Sequence, residues 1–168
     1  MSLDLYIKSK TPIIHRDTGI YIRKNGETKV LETKEDVLKH FPNANPEEIK
    51  VNSYEDDIYF HLNLTHNLGE MARHCNAHHF AEECSLYTLL WHPEELLSKT
   101  NMHPTEKYLL LVIDSFLELS SNEPYYSKYN PKNGWGNYEQ LLNGVRNFST
   151  SLLAVMPYIE NYTIEASI

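Results

Sequence analysis

Residues 57–72, DIYFHLNLTHNLGEMA, decide the fold class because the hydrophobic period changes within them. From Ile58 to Leu64 apolar and polar residues alternate, which is the period of a strand with one buried face. After Thr65, a favourable N-cap residue, the apolar positions switch to helical spacing. The stretch therefore predicts a strand at residues 57–65 that leads directly into a helix. We expect its apolar face to pack on helices and its polar face to meet water or a ligand.

The rest of the chain adds strands at both ends and helices between them. Residues 3–7 and 162–168 alternate as half-buried strands do, and Asn25-Gly26 predicts a hairpin because both positions accept positive φ. This order predicts an α+β fold, a single domain over residues 1–168 with a small antiparallel sheet and helices packed mainly on one face. Helices are predicted from Thr33 to Pro42, from Thr65 past Cys75 to residues 79–80, from Pro104 to Leu117, and from Tyr138 to Pro157, where the low helix propensity of Gly144 allows a break.

Composition narrows the class of function. The 168 residues include 15 Lys and Arg against 23 Asp and Glu, so the formal charge is −8. No basic run is present to neutralise phosphates, and nucleic-acid binding is therefore not expected. The longest apolar stretch, residues 108–113, is too short to cross a bilayer, and neither a membrane partner nor a signal peptide is expected. Two cysteines, Cys75 and Cys84, cannot form a disulfide framework, which favours a reducing cytoplasm.

The histidine-rich stretch is the candidate metal site. Seven of the nine histidines fall between His61 and His103. On a continuous helix His74 and His78 would lie one turn apart, and such a pair with a thiolate or carboxylate binds zinc or another transition metal. No CxxC pair and no HExxH motif accompany these residues, and the alternative interpretation is that Cys75 and His79 pack in the core while His74 and His78 are solvated.

Three other segments carry polar and aromatic residues suited to binding. At residues 63–67, NLTHN, a strand end meets a helix start, where free backbone N–H groups bind polar ligands unless Thr65 and Asn67 only cap the helix. Residues 91–95, WHPEE, follow an apolar run, and core packing explains their Trp simply. Residues 133–138, NGWGNY, place an indole between two glycines, where it either plugs the core edge or offers a stacking surface. Tyr125, Tyr126 and Tyr129 add aromatic area just upstream.

The same segments resemble a family of small bacterial and bacteriophage proteins whose pattern reads NxTHNLxxMA, LWxPEE and NGWGxY. The matching stretches here are residues 63–72, 87–95 and 133–138, in the family's order, and the resemblance covers most of the chain. It implies a bacterial or bacteriophage context and no particular activity. The chain departs from the family at residues 73–85, which are longer here and contain the metal candidates.

Three functional hypotheses follow. The first is a non-catalytic module that binds a small polar molecule, such as a nucleotide, in a polar and aromatic pocket. The second is an acidic inhibitor, of the immunity or anti-defence type, that binds a basic protein. The third is a metal-dependent hydrolase using the His/Cys stretch, although no acid–base partner and no catalytic residue can be assigned. The predicted ligand-binding residues are Asn63, His66, Asn67, Trp91, Glu94, Asn133, Trp135 and Tyr138, and the candidate zinc ligands are His74 and His78.

Overall fold

The computed structural model describes residues 2–24, 27–77, 84–98 and 102–168. The predicted α+β class is confirmed. Contacts divide the chain into two compact units. One comprises residues 1–10 and 58–168, and the other comprises residues 11–57. The single domain over residues 1–168 stays a prediction.

In chain order the described strands and helices are β1 Ser2–Asp17, β2 Tyr21–Lys24, β3 Glu27–Val30, α1 Lys34–His40, β4 Asn52–Thr65, α2 Gly69–His74, β5 Asn76–Ala77, β6 Cys84–Ser85, α3 Leu86–Trp91, α4 Glu106–Ser121, α5 Glu123–Tyr126, α6 Tyr138–Val155 and β7 Tyr162–Ser167.

A three-stranded sheet with strand order β4–β1–β7 forms one layer of the larger unit. β7 runs antiparallel to β1, in a register that places Asp4 opposite Ser167 and Ser9 opposite Tyr162. One face of the sheet is apolar and buried in the core, through Leu3, Leu5, Ile7, Leu62, Leu64 and Ile164. The side chains between them on β4, at positions 59, 61 and 63, are exposed. The two-faced strand predicted at residues 57–65 is therefore confirmed, and it begins earlier, at Asn52.

Helix α6 lies against the apolar face of β4, and Gly144 is the reason it can lie so close. A Cβ built at Gly144 would be 3.0 Å from Leu62 Cδ1 and 3.3 Å from Leu64 Cδ2. The break that this glycine allowed does not occur, since α6 is continuous from Tyr138 to Val155. Tertiary packing outweighs the cost of about 1 kcal/mol that glycine carries in a helix. The start predicted for α4 at Pro104 is also shifted, because Thr105 caps the helix and it begins at Glu106.

The helix that follows β4 is shorter than predicted. A single 3₁₀ turn, His66–Leu68, leads into α2, which ends at His74. Cys75 is already extended, and its carbonyl accepts a hydrogen bond of 2.7 Å from the Leu86 backbone N–H. Asn76–Ala77 then pair with Cys84–Ser85 as a short antiparallel ladder. The predicted continuation of this helix is therefore wrong for residues 75–77, which are extended. Residues 79–80, where the predicted helix would end, lie outside the described part of the chain.

The smaller unit, residues 11–57, contains the predicted hairpin and the predicted short helix. β2 pairs antiparallel with β3 from Tyr21 opposite Val30 to Lys24 opposite Glu27, while Asn25-Gly26 lie outside the described residues. Thr33 caps α1 by accepting a hydrogen bond of 3.1 Å from the Asp36 backbone N–H. A small separate core fills this unit, formed by Leu31, Val37 and Ile49.

Candidate functional site

Two of the three predicted binding segments meet in the larger unit, and a glycine joins them. Gly136 has φ +97°, and a Cβ there would be 2.6 Å from Thr65 Cγ2 and 3.0 Å from Leu68 Cγ. The loop at residues 133–137 is therefore seated directly on the junction between β4 and the helix. Only glycine suits this position, because both the backbone angle and the close approach exclude a side chain.

Hydrogen bonds hold the same loop at several points. The Asn133 side-chain oxygen accepts from the Trp135 backbone N–H at 3.0 Å, and Asn67 Nδ2 donates to the Trp135 carbonyl at 3.5 Å. Asn137 caps α6 by accepting from the Gln140 backbone N–H at 2.9 Å. The backbone around the indole is thus fixed on both sides, and the side chain of Trp135 is nevertheless 72% exposed. Of the two alternatives for this Trp, a plug at the core edge is wrong.

Asn67, whose side chain bonds the Trp135 carbonyl, is followed at spacings of three and four residues by Glu70 and His74, which places these three side chains on one side of the helical segment. We call the surface that contains them the Trp135 surface. It comprises Trp135, Asn67, Glu70, His74, Tyr129 and Tyr125. Glu70 Oε1 lies 3.2 Å from His74 Nε2, and the imidazole stacks on Tyr129 with ring centroids 4.2 Å apart. The Tyr129 hydroxyl donates to that of Tyr125 at 3.3 Å. The surface combines aromatic and polar side chains, of which Tyr129 is half-buried and the others are exposed.

The third predicted segment lies mainly in the core. Trp91 is only 1% exposed and stacks on Tyr87, with centroids 5.0 Å apart and rings 12° from parallel. The Arg73 guanidinium covers the same Tyr87 ring at 3.8 Å from its centroid. Glu94 is half-buried and pairs with the neighbouring His92 Nδ1 at 3.2 Å. The structure therefore places the Trp91 indole away from solvent, whereas that of Trp135 is accessible.

Tyr138 is likewise a core residue. Its ring is buried, and its hydroxyl donates to the Leu119 carbonyl at 2.9 Å, which ties the start of α6 to α4. Its backbone N–H donates to Asn130 Oδ1 at 2.7 Å. His66, by contrast, is exposed at the first position of the 3₁₀ turn. The predicted ligand-binding residues that are exposed to solvent therefore lie in two places, the junction at residues 63–67 and the loop at residues 133–137.

Asn63 belongs to a polar cluster that the sequence did not reveal. Its Nδ2 donates to Asp4 Oδ1 at 2.7 Å, and His61 Nε2 lies 2.8 Å from the same oxygen. The imidazole of His61 stacks on Tyr6, with centroids 4.6 Å apart. Hydrogen bonds from Asn63 and His61 lower the pKa of Asp4 below its ordinary value. The alternation of polar residues in β1 and β4 was visible in the sequence, but which of their side chains meet depends on how the two strands pair.

The continuous helix that would place the two candidate metal ligands one turn apart is not formed. α2 ends at His74, whose imidazole is already held by Glu70 and Tyr129, and His78 lies outside the described residues. Cys75 is buried, its thiol donates to the Ser115 carbonyl at 3.3 Å, and burial raises its pKa to about 12. Within residues 2–24, 27–77, 84–98 and 102–168, no three His, Cys, Asp or Glu side chains are grouped to bind a metal ion.

A cleft in the smaller unit has a volume of about 260 Å³. Its walls carry both signs of charge, from Arg16 and Lys34 on one hand and Glu32 and Glu35 on the other, with Thr33 and Val51. None of the predicted site residues lines it. The mixed charge gives no preference for an anionic or a cationic ligand.

Comparison with known proteins identifies no relative. No protein-family model matches the sequence, and neither the curated proteins nor the solved structures contain a significant match. The resemblance to the bacterial and bacteriophage family stays a prediction. Among the helices that the structure describes, none is both long and apolar enough to cross a membrane.

Proposed function

We propose that the protein is a non-catalytic recognition module that binds a protein partner through the Trp135 surface. The exposed indole of Trp135 is the observation that carries this proposal. Burying an aromatic side chain contributes about 4–6 kcal/mol at ~25 cal/mol per Å² over ~150–250 Å². Leaving 72% of the residue in solvent forgoes most of that stabilisation. A loop held by Gly136 and two asparagines therefore presents a contact residue and does not merely connect two helices.

The exposure of Trp135 favours a protein over a small molecule as the ligand. Small-molecule sites are concave and enclose most of their ligand, whereas the Trp135 residue is 72% exposed and Trp91, the other indole expected in the pocket, lies inside the core. Trp and Tyr are enriched among the side chains that dominate protein interfaces. The net charge of −8 would accelerate encounter with a basic partner. An inhibitor of the immunity or anti-defence type, acting in the cytoplasm of a bacterium or a phage-infected cell, fits this description.

A small polar ligand stacked on Trp135 is the second candidate. The side chains of Asn67 and Asn133, both hydrogen-bonded to the Trp135 backbone, favour it because they place amide groups beside the loop that carries the indole. Native mass spectrometry of the purified protein separates the two candidates. A stoichiometric small-molecule excess over the denatured mass supports the second one, and co-purification of a second polypeptide supports the first.

The direct test compares two exposed aromatic residues. We expect Trp135→Ala to abolish capture of the partner from an extract of the native host while leaving the fold intact, because the indole makes few intramolecular contacts. Tyr158→Ala is the matched control, since Tyr158 is 65% exposed and lies in a different segment. Circular dichroism and the urea midpoint verify folding. Equal retention of the partner by both variants would refute a role for the Trp135 surface.

A further inference from the structure

The Trp135 surface carries two aromatic groups at a separation that the helical segment sets. The first is the exposed indole of Trp135, whose loop meets the segment where Asn67 Nδ2 bonds the Trp135 carbonyl. The second is the imidazole of His74, which stacks on Tyr129 with centroids 4.2 Å apart. From Asn67 to His74 the chain rises about 11 Å, at ~2.0 Å per residue in the 3₁₀ turn and ~1.5 Å per residue in α2.

A polyproline II segment matches this separation. Such a segment rises about 3.1 Å per residue, so three to four of its residues span roughly 9–12 Å. Prolines at that spacing would place one pyrrolidine ring against the Trp135 indole and another against the His74 imidazole. Proline-rich segments are recognised by aromatic side chains in this way, and their preformed conformation keeps the entropy cost of binding low.

The polar groups of the surface suit the same occupant. A polyproline II segment has no internal hydrogen bonds, so its carbonyl groups need donors from the protein that binds it. The Trp135 indole supplies an N–H, and Tyr125, whose oxygen accepts from Tyr129 at 3.3 Å, keeps its own hydroxyl proton for another acceptor. An amphipathic helix would instead need an apolar groove. The side chains that define the Trp135 surface are aromatic, amide or carboxylate groups, and none is aliphatic.

Glu70 gives the surface a preference for a basic segment. It is exposed and lies between Asn67 and His74 on the helical segment. Its Oε1 faces His74 at 3.2 Å, whereas its Oε2 is 3.7 Å from Arg73 Nη1, which is beyond hydrogen-bond distance. The Arg73 guanidinium packs on the Tyr87 ring instead, 3.8 Å from its centroid. A Lys or Arg of the partner would therefore meet an accessible carboxylate oxygen, in keeping with the net charge of −8.

We infer that the Trp135 surface binds a basic, proline-rich segment of a protein partner in the polyproline II conformation. The inference rests on the proposed function, because it names the partner segment for the same surface. Lys128 lies over the Tyr125 ring, 5.8 Å from its centroid, so that end of the surface is already next to a cation. The basic residue of the partner is therefore placed beside Glu70.

The test measures binding of fluorescently labelled peptides to the full chain by anisotropy, with protein up to about 1 mM so that micromolar dissociation constants are covered. The probe peptide has three repeats of Pro-Pro-Lys, and the three-residue turn aligns its lysines on one side. Three repeats of Pro-Pro-Glu keep the conformation and reverse the charge, while three repeats of Ala-Ala-Lys keep the charge and remove the prolines. We expect the Pro-Pro-Lys peptide to bind, and each control peptide to bind at least about tenfold more weakly.

Variants of the full chain locate the binding. Trp135→Ala and His74→Ala should each weaken binding of the Pro-Pro-Lys peptide by at least about tenfold, because each removes one aromatic contact. Glu70→Gln should weaken it by about threefold or more, because the partner's cation loses its carboxylate. Glu160→Gln removes the same charge from an exposed position in another segment and should leave the affinity unchanged. If His74→Ala alters the circular dichroism spectrum, Tyr125→Ala replaces it, with the same expected loss.

The outcomes separate this inference from the proposed function. The inference is overturned if the Pro-Pro-Lys peptide shows no saturable binding, if the Ala-Ala-Lys peptide binds equally well, or if Trp135→Ala keeps the wild-type affinity. Loss of the native partner by Trp135→Ala without any peptide binding overturns the inference and leaves the proposed function in place. Retention of the native partner by Trp135→Ala contradicts the proposed function instead.

Discussion

Replacing Gly136 with alanine tests how the loop that carries Trp135 is held. The substitution meets two penalties. A φ of +97° is strained for any residue with a Cβ and costs about 1–3 kcal/mol. The new methyl would also lie 2.6 Å from Thr65 Cγ2 and 3.0 Å from Leu68 Cγ, and overpacking of this kind costs a further ~1–3 kcal/mol. We therefore expect Gly136→Ala to lower the free energy of unfolding by about 2–6 kcal/mol.

Gly134 provides the matched control for this variant. Its φ is +73°, but a Cβ there would meet nothing within 4 Å. Gly134→Ala should therefore show only the backbone penalty, about 1–2 kcal/mol. Urea unfolding followed by far-UV circular dichroism measures both variants, and Thr65→Ser in the Gly136→Ala background should recover part of the loss because it removes Cγ2. Equal losses for the two glycine variants would refute the close contact between the loop and the β4 junction.

Two further predictions concern the indoles and Asp4. In Trp91→Phe the fluorescence of the remaining, exposed Trp135 should have its maximum at long wavelength and be quenched strongly by acrylamide. In Trp135→Phe the fluorescence of the buried Trp91 should have its maximum at shorter wavelength and resist quenching. Similar quenching in both variants would contradict the assigned burial. Because the folded pKa of Asp4 lies below its ordinary value of 3.8, its contribution to stability is complete above that value and is lost as the pH falls through the lowered pKa. We therefore measure the urea midpoint from neutral to acidic pH and expect that, as the pH falls below the ordinary pKa of Asp4, the midpoint falls less for Asp4→Asn than for wild type. Identical pH profiles for the two proteins would show that the hydrogen bonds from Asn63 and His61 contribute nothing to stability.

Local patterns in the sequence were sufficient for most of the elements. The alternation at residues 57–65 and the cap at Thr33 each depend on neighbours along the chain, and both appear in the structure. Glycine was interpreted less well. Gly144 was interpreted only as a position where α6 could break, whereas in the structure it lets Leu62 and Leu64 of β4 approach the helix. Helix propensity describes an isolated helix, whereas the contact between helix and sheet determines this position.

The candidate site, like the fold, was predicted from the sequence only in part. The residue types at the β4 junction and in the loop from Asn133 to Asn137 marked both segments as unusual, and the structure seats one on the other through Gly136. The sequence did not distinguish the two indoles. Trp91 and Trp135 both occur beside polar residues, and only the packing of α3 buries one while the loop exposes the other.

The sequence by itself determined the α+β class and most of the strands and helices, because hydrophobic periodicity and capping act over a few residues. The tertiary structure alone decided the end of α2 at His74, the meeting of Asp4 with His61 and Asn63, and the exposure of Trp135. These features depend on contacts between residues far apart in the chain. Which strand pairs with which, and which face a helix covers, follow from packing of the whole core and not from any local spacing.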